Sequence, residues 1–401
     1  MDERLRFIAE YNEREDSFAE LCRQFGISRK TGYKWVERYK NQGPPGLLEK
    51  PPVARHCPWA VAPDLVDQVV QARKEHPLWG PKKLRALLVQ QGPDKAWPAA
   101  STIGDLLKRH GLIRPTRRYV RAPWNGQPLL GCQGPNDLWC ADFKGDFALG
   151  DGTRCHPLTI SDQFSRFVLK CEGLVKTHTE PVRRHFELAF KEYGLPYRMR
   201  TDNGPPFASV GPGGLTELSV WWIKLGIVPE RIEPGCPQQN GCHERMHRTL
   251  KQEATIPPGE TLPEQQRLLD RFRREFNEQR PHEALGQTVP AKHYAVSQRR
   301  MPKELEVPAY RDMETRWVGK SGGIKWQGED VHVGRCLVGE PVGLEQRGPG
   351  RWQVLYGPVS LGMLREGKEP MRLEAMPRKE EQEPEEQGTS SPPADEALRR
   401  E

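Results

Sequence analysis

PYRMRTDNG, residues 196–204, is a short strand that runs straight into a turn. Before it stands EPVRRHFELAFKEYG (180–194), an amphipathic helix that Gly194 ends. After it come LTELSVWWIKLG (215–226), a second helix, and IVPERI (227–232), a further strand. Upstream, LWCADFKGDFAL (138–149) is strand-like, and HPLTISDQFSRFVLKCEGL (156–174) gives two more strands around a turn. Successive strands followed by strand–helix–strand alternation predict a mixed α/β sheet over residues 137–295. In such sheets ligands gather at the carboxyl ends of strands, which is where Asp202 falls.

The flanking sequence has other textures. Residues 1–50 predict a helix-turn-helix, because FGISRKTGYKWVERY (25–39) combines a Gly turn, Ser28 as an N-cap and a second, basic helix. Such a second helix enters the major groove of DNA, which makes Arg29, Lys30, Thr31 and Lys34 candidate DNA contacts. NQGPPGLLEKPP (41–52) reads as a linker. Residues 60–115 hold three more helical stretches, the last capped by Ser101 and ended by Gly111, and predict a second helix-turn-helix-like module. A basic, Pro- and Gly-rich connector spans 116–136. Short alternating runs over 305–370, such as RWQVLYGPV (351–359), predict a small antiparallel barrel or sandwich. The stretch 376–401 is too polar and Pro-rich to pack, and is expected to be a disordered acidic tail.

The 401 residues carry a net charge of +7, unevenly spread. Residues 1–130 come to +9 and residues 371–401 to −4, counting Lys and Arg against Asp and Glu. A basic front half points to a polyanionic partner. No stretch supplies the roughly 20 apolar residues of a membrane span, and MDERLRFIAE lacks the apolar centre of a signal peptide. The nine cysteines form no CxxC pair. That usage suits free thiols in a reducing cytoplasm, and the spacing of Cys236, Cys242 and His243 fits no standard zinc finger.

The chemistry concentrates in three acids. Asp142 lies within the first apparent strand of the sheet, Asp202 at the end of another, and Glu244 at the start of the helix NGCHERMHRTLKQE (240–253). On that helix Glu244, His247, Arg248 and Lys251 follow at offsets of 3, 4 and 7, so they share one stripe. Three converging carboxylates repel one another unless a counter-charge intervenes. Two Mg²⁺ ions would supply it, since magnesium prefers oxygen ligands. A metal pair about 3.5–4 Å apart clamps both the attacking and the leaving oxygen of a phosphoryl displacement. His247, Arg248 and Lys251 would then face phosphate oxygens. A lone acid in any of these settings is more often a cap or a surface charge; their joint setting selects the functional reading.

DLWCADFKGDF (137–147), RTDNGPPF (200–207), EPGCPQQNGCHERMHRTLKQE (233–253) and FNEQRPHEALGQTVPAKHY (276–294) together resemble the integrase-core (DDE) transposases of bacterial insertion sequences, relatives of retroviral integrases. The resemblance covers residues 137–295 and, more loosely, the helix-turn-helix modules. It implies a ribonuclease-H-like core within a multidomain chain. It further implies that Asp142, Asp202 and Glu244 are the catalytic, metal-binding triad, that Asn203 and Gly204 shape the turn of the second acid, and that Lys251 contacts DNA. Gln239 and Asn240 match the loop that approaches the substrate strand, and Arg280, Pro281 and His282 match a closing segment. Double-stranded DNA (element ends and target), two Mg²⁺ ions replaceable by Mn²⁺, a homo-oligomer on DNA and a bacterial cytoplasmic, nucleoid-associated setting are implied as well.

Two departures stand out. Asp202 and Glu244 are 42 positions apart, longer than the family's usual spacing. The Gly-rich SVGPGGL (209–215) absorbs the excess, and can bulge outward without moving either acid. Pro206 replaces the acidic residue that many relatives carry after TDNG. Two alternatives remain at the level of sequence: a DNA-binding regulator built on a decayed core, which metal-dependent nicking would exclude, and a nuclease that never joins, which a strand-transfer product would exclude.

Overall fold

The computed structural model describes residues 2–13, 16–48, 60–113, 131–233, 237–367 and 371–374. The chain forms two compact units that divide after Pro63. Residues 116–130 of the connector and the whole of the tail at 376–401 lie outside the described residues, as does Cys236.

The first unit comprises α1 (Asp2–Glu13), α2 (Phe18–Gln24) and α3 (Arg29–Gln42). Phe7 is fully buried and takes the edges or faces of Phe18, Phe25 and Trp35 within 6.1 Å of its centroid. Ser17 caps α2 through the Glu20 N–H, and Ser28 caps α3 through the Thr31 N–H. The turn between them uses Gly26 at φ +61°. α3 lies so close on the aromatic cluster that a Cβ on Gly32 would stand 2.8 Å from the Cys22 sulfur.

The second unit opens with α4 (Pro63–Glu75), α5 (Pro81–Gln91) and α6 (Ala100–Arg109), packed around Val69, Trp79, Leu84, Leu88, Ile103 and Leu107. Ser101 is not the cap of α6. The helix already starts at Ala100, its N-cap is Ala99, and no side chain bonds the first turn.

The predicted mixed sheet follows. β1 (Leu138–Phe143), β2 (Phe147–Ala148), β3 (Arg154–Asp162), β4 (Val168–Leu174), β5 (Arg198–Thr201) and β6 (Val228–Arg231) order as β2-β3-β1-β5-β6, with β4 also on β3. β1, β5 and β6 run parallel; β3 is antiparallel to β1 and β4. α7 (Thr179–Tyr193) and α8 (Glu217–Lys224) bury Phe186, Phe190 and Trp222 against Trp139, Leu158 and Ile160. A separate cluster joins α9 (Gly241–Ala254) and α10 (Leu262–Glu278) to β4 through Met246, Leu250, Leu269, Phe272 and Val168.

The C-terminal module is not barrel-like. β7 (Glu314–Trp317), β10 (Pro341–Gly348), β11 (Arg351–Tyr356) and β12 (Val359–Arg365) form an open sheet in the order β12-β11-β10-β7, and β8 (Gly323–Trp326) pairs β9 (Glu329–His332) in a separate hairpin. Neither sheet closes among the described residues: β7 pairs only with β10, and the outer edge of β12 carries only a single bridge, from Met363 to Glu374. The apolar inner face packs with the β8–β9 hairpin, through Ile324, Trp326 and Val331, and with α8, whose Val220 and Ile223 join Val342, Leu344, Val354 and Leu361 in the same core.

The 209–215 loop also departs from a simple outward bulge. Val210 is fully exposed, but a Cβ on Gly213 would meet Leu361 at 2.9 Å and the Ser360 carbonyl at 3.1 Å. The excess length between Asp202 and Glu244 thus abuts the C-terminal sheet. Gly213→Ala, at φ +58° and without room for a Cβ, should cost about 1–3 kcal/mol. Urea unfolding should register the loss, and limited proteolysis should cut the segment before β7 faster than in wild type.

Candidate active site

Asp142 and Asp202 are brought together by strand register. β1 and β5 pair in parallel with Ala141 opposite Thr201. Asp142 is one residue further along β1, and Asp202 is the first residue past β5. Both therefore leave adjacent strands at their carboxyl ends. Glu244 sits in the first turn of α9 and is exposed. The charges of both Asp202 and Glu244 act on Asp142. Burial first, then Asp202, with Glu244 adding, pushes the Asp142 carboxyl up to about 7, against the smaller pull of the Phe143 N–H and Lys144. Burial also raises Asp202, although the Gly204 N–H donates to its carboxylate. One carboxylate oxygen of Asp202, Oδ1, is buried without a hydrogen-bond partner.

The turn after Asp202 is tied at both of its next residues. The Asn203 amide donates to the Ile232 carbonyl at 2.9 Å, which holds the turn to the end of β6. A Cβ on Gly204 would stand 3.1 Å from Asp202 Oδ2, so the backbone passes closer than a side chain would permit. The entry to α9 is fixed from the same sheet edge. Buried Arg200 on β5 binds Glu230 at 2.5 Å and donates to the Gln239 carbonyl at 3.1 Å.

α9 does not present a single exposed stripe. Glu244, Arg248 and Lys251 face solvent, but His247 is only 7% exposed. Its Nε2 lies 2.7 Å from the Thr159 hydroxyl, and its Nδ1 lies 3.8 Å from Asp142 Oδ2. The reason is strand alternation. Leu158 and Ile160 enter the core beneath α7, which turns Thr159 and Ser161 toward α9. There Thr159 meets His243 and His247, each at 2.7 Å, and Ser161 meets His243 Nδ1 at 3.0 Å. Thr159 and Asp142 are also register partners, and the hydroxyl donates to the Asp142 carbonyl at 3.1 Å.

The sequence does not single out Thr159 and Ser161, and it marks His243 only beside Cys236 and Cys242. Their signal was present in the polar alternation of LTISD and the four-residue spacing of the two histidines. Gln239 and Asn240 are buried as well. Gln239 accepts the Glu233 N–H at 2.8 Å, and Asn240 Oδ1 has no partner. These two shape the approach to α9 and do not line an open surface.

One trio could be mistaken for a metal cage. The ligand atoms of Asp142, His243 and His247 lie within 4.8 Å of one another. His243, however, has both nitrogens engaged by hydroxyls, and a site built on the three acids offers the oxygen donors that magnesium prefers. Burial pushes His243 down to about 3 and His247 to about 2, so both are neutral hydrogen-bonding groups.

In the first unit, Arg29, Lys30 and Lys34 lie exposed on α3, where with Tyr33 and Glu37 they line a shallow depression. The Thr31 hydroxyl is 2.9 Å from that of Ser28, so it serves the helix start.

Residues 133–237 and 225–290 each match an integrase core domain. Residues 3–52 match a helix-turn-helix domain and 31–107 a homeodomain-like domain. Residues 313–364 match the C-terminal domain of the IS481 family transposases. The chain is 29% identical over 242 residues to a 31.7 kDa protein of insertion element IS407 from Burkholderia multivorans, covering 58% of this chain and 83% of that protein. It is 32% identical over 197 residues to a 39.2 kDa protein of insertion element IS476 from Xanthomonas euvesicatoria, covering 49% and 55%. Among solved structures, the HTLV-2 integrase catalytic core with magnesium aligns at 17% identity over 40% of this chain and 98% of its own, with a TM-score of 0.30. A simian T-cell lymphotropic virus intasome bound to PP2A regulatory subunit B56 gamma aligns at 17% identity over 78% and 100%, with a TM-score of 0.36. Among the described residues no helix is long and apolar enough to cross a membrane.

The raised Asp142 carboxyl has a measurable consequence. A folded value of about 7 against an unfolded value near 4 means that ionisation costs stability, absent below about pH 4 and complete above about pH 7. In chelated buffer Asp142→Asn should therefore be more stable than wild type by about 1–3 kcal/mol at pH 8. The gain should shrink towards pH 5. Denaturant titrations at the two pH values measure it, and an Asn variant less stable than wild type at pH 8 would contradict the assignment.

Proposed function

We propose that this chain, which belongs to the integrase-core transposases of insertion sequences, binds double-stranded DNA at element ends and cuts and joins it with Asp142, Asp202 and Glu244. The observation that carries the reading is the convergence of two carboxylates at the ends of adjacent parallel strands, with the charge of a third acid, from α9, acting on the first. The acids would hold two Mg²⁺ ions, with Mn²⁺ able to replace them. The donor set supports that fit: all oxygen, mutually repelling, and with one buried Asp202 oxygen left without a partner. Bound there, such ions neutralise the carboxylates and stabilise charge on the attacking and leaving oxygens of a phosphodiester.

The chain's own side chains do the rest. Arg248 and Lys251, exposed on the helix of Glu244, contact backbone phosphate. His247 holds its place behind Asp142 through Thr159. Asn203 and Gly204 fix the second. Gln239 and Asn240 set the entry angle of α9. In the first unit Arg29, Lys30 and Lys34 supply the DNA-facing surface of a helix-turn-helix, with Thr31 securing its start.

In the first step water attacks the phosphodiester at the element end, the bond to the 3′ oxygen breaks, and a 3′-hydroxyl is freed. In the second that hydroxyl attacks a target phosphate and displaces the target's own 3′ oxygen, so the number of phosphodiester bonds is conserved. Joining two element ends to one target calls for a homo-oligomer on DNA.

A strand-transfer assay tests this, with labelled element-end DNA, supercoiled target and Mg²⁺ or Mn²⁺. Wild type should yield joined products. Glu244→Gln keeps the side-chain volume but not the charge, and should lose at least about a hundredfold in rate. Equal activity in the two proteins would remove Glu244 from the site. End binding without cleavage by wild type would replace the enzyme with a regulator.

A further inference from the structure

A cavity of about 360 Å³ opens on the flank of α9, between α5, the turn after β3 and the segment that follows α10. Its walls include Lys83, Arg166, Arg248, Arg280 and His282. The acids nearby are already engaged. Asp162 takes the Ser165 N–H and hydroxyl and the Asn136 N–H. Glu253 binds Arg280 at 2.5 Å, and Glu283 binds Lys82 on the surface at 2.6 Å. Among the described residues this leaves Lys83, Arg166 and Arg248 with no acid at ion-pair distance. Arg166 Nη1 and His282 Nε2 are, in addition, buried without any hydrogen-bond partner.

The cations act on one another. Burial, then Arg280, holds the Lys83 ammonium down to about 8. Burial, then Lys83, Arg280 and Arg166, pushes His282 to about 3. Such crowding costs folding energy and is relieved by an anion. Guanidinium groups suit phosphate in particular, because their fork of donors matches its oxygens.

We propose that this cleft binds a backbone phosphate of duplex DNA and so forms a DNA contact separate from α3 and from the acids. The inference rests on the reading that the chain acts on DNA. Two features favour a duplex over a small anion. Lys83 lies in the first turn of α5, within the stretch 31–107 that matches a homeodomain-like domain. Arg248 belongs to α9, so a phosphate held here lies beside the helix that carries Glu244. The cleft would register the duplex against the acids while reading no sequence.

The test uses the full chain and a labelled duplex of mixed sequence, since the phosphate contribution does not depend on sequence. The slope of log affinity against log salt should fall by up to about 0.9, the loss of one phosphate contact, in Lys83→Gln and likewise in Arg166→Gln. Lys83→Arg should retain the wild-type slope. Unchanged slopes in both Gln variants, with unaltered circular dichroism melts, would overturn the proposal. A second readout needs no variant. At pH 8 Lys83 should be acetylated ahead of ordinary lysines, and the duplex should protect it while inorganic phosphate does not. Protection by phosphate alone would assign the cleft to a free anion and overturn the duplex. If wild type shows no salt-dependent duplex binding at all, the DNA reading itself fails. Normal wild-type binding with unaltered Gln variants would instead sink only the cleft.

Discussion

The Thr159 hydroxyl holds the site together. It has one hydrogen to give and gives it to the Asp142 carbonyl. Both imidazoles reach its oxygen through Nε2 at 2.7 Å, and His243 Nδ1 is 3.0 Å from the Ser161 hydroxyl. α9 is thereby joined to β3 by neutral hydrogen bonds directly behind the acids. Neutrality matters here, since an imidazolium at that position would ion-pair with Asp142 and compete with any metal. His247 Nδ1 lies 3.8 Å from Asp142 Oδ2, beyond hydrogen-bond reach, so it does little to offset the effect of burial on that acid.

α9 divides two electrostatic environments. On one side the proposed acids repel one another, and Asp142 resists losing its proton. On the other, cations crowd the cleft, and Lys83 and His282 resist holding theirs. Each arrangement is unfavourable by itself and becomes favourable with a counter-ion of the opposite sign. A protein built this way carries stored electrostatic cost in its free form, and binding releases it. The pairing of the two on one helix gives a physical reason for the unusual composition of NGCHERMHRTLKQE. The acid and the cations serve different ligands, and the two histidines between them keep the helix fixed to the sheet.

Much of this was legible in the sequence. Strand–turn–acid in RMRTDNG placed Asp202 correctly at a strand end, because strand ends and Gly turns are local properties. The mixed sheet followed from alternation. What local pattern could not supply was which edge of the α9 stripe would be covered. Offsets of 3, 4 and 7 put His247 on the same face as Arg248, but the covering surface is β3, more than eighty residues earlier, so His247 turned inward. Sheet closure failed to emerge for a related reason. The alternation in 305–370 identifies strands, but whether their edges meet depends on register, and here the β8–β9 hairpin and α8 pack on the inner face in place of closure. The cap at Ser101 was displaced because Pro98, Ala99 and Ala100 let the helix begin sooner, with packing of Ile103 and Leu107 setting its start.

The departure in acid spacing finds its physical sense in the same region. Between Asp202 and α9 the chain makes the Gly-rich loop and then α8, and both face the C-terminal sheet. Gly213 abuts Leu361, Leu215 and Ile223 share a core with Val342 and Tyr356, and Lys224 binds Glu340 at 2.6 Å. An open four-stranded sheet cannot bury its own inner face, so it needs such a platform. The residues between the second and third acids supply it. The packed Leu215, Val220 and Ile223 and the Lys224–Glu340 pair thus fasten the C-terminal module directly to the segment that links those two acids.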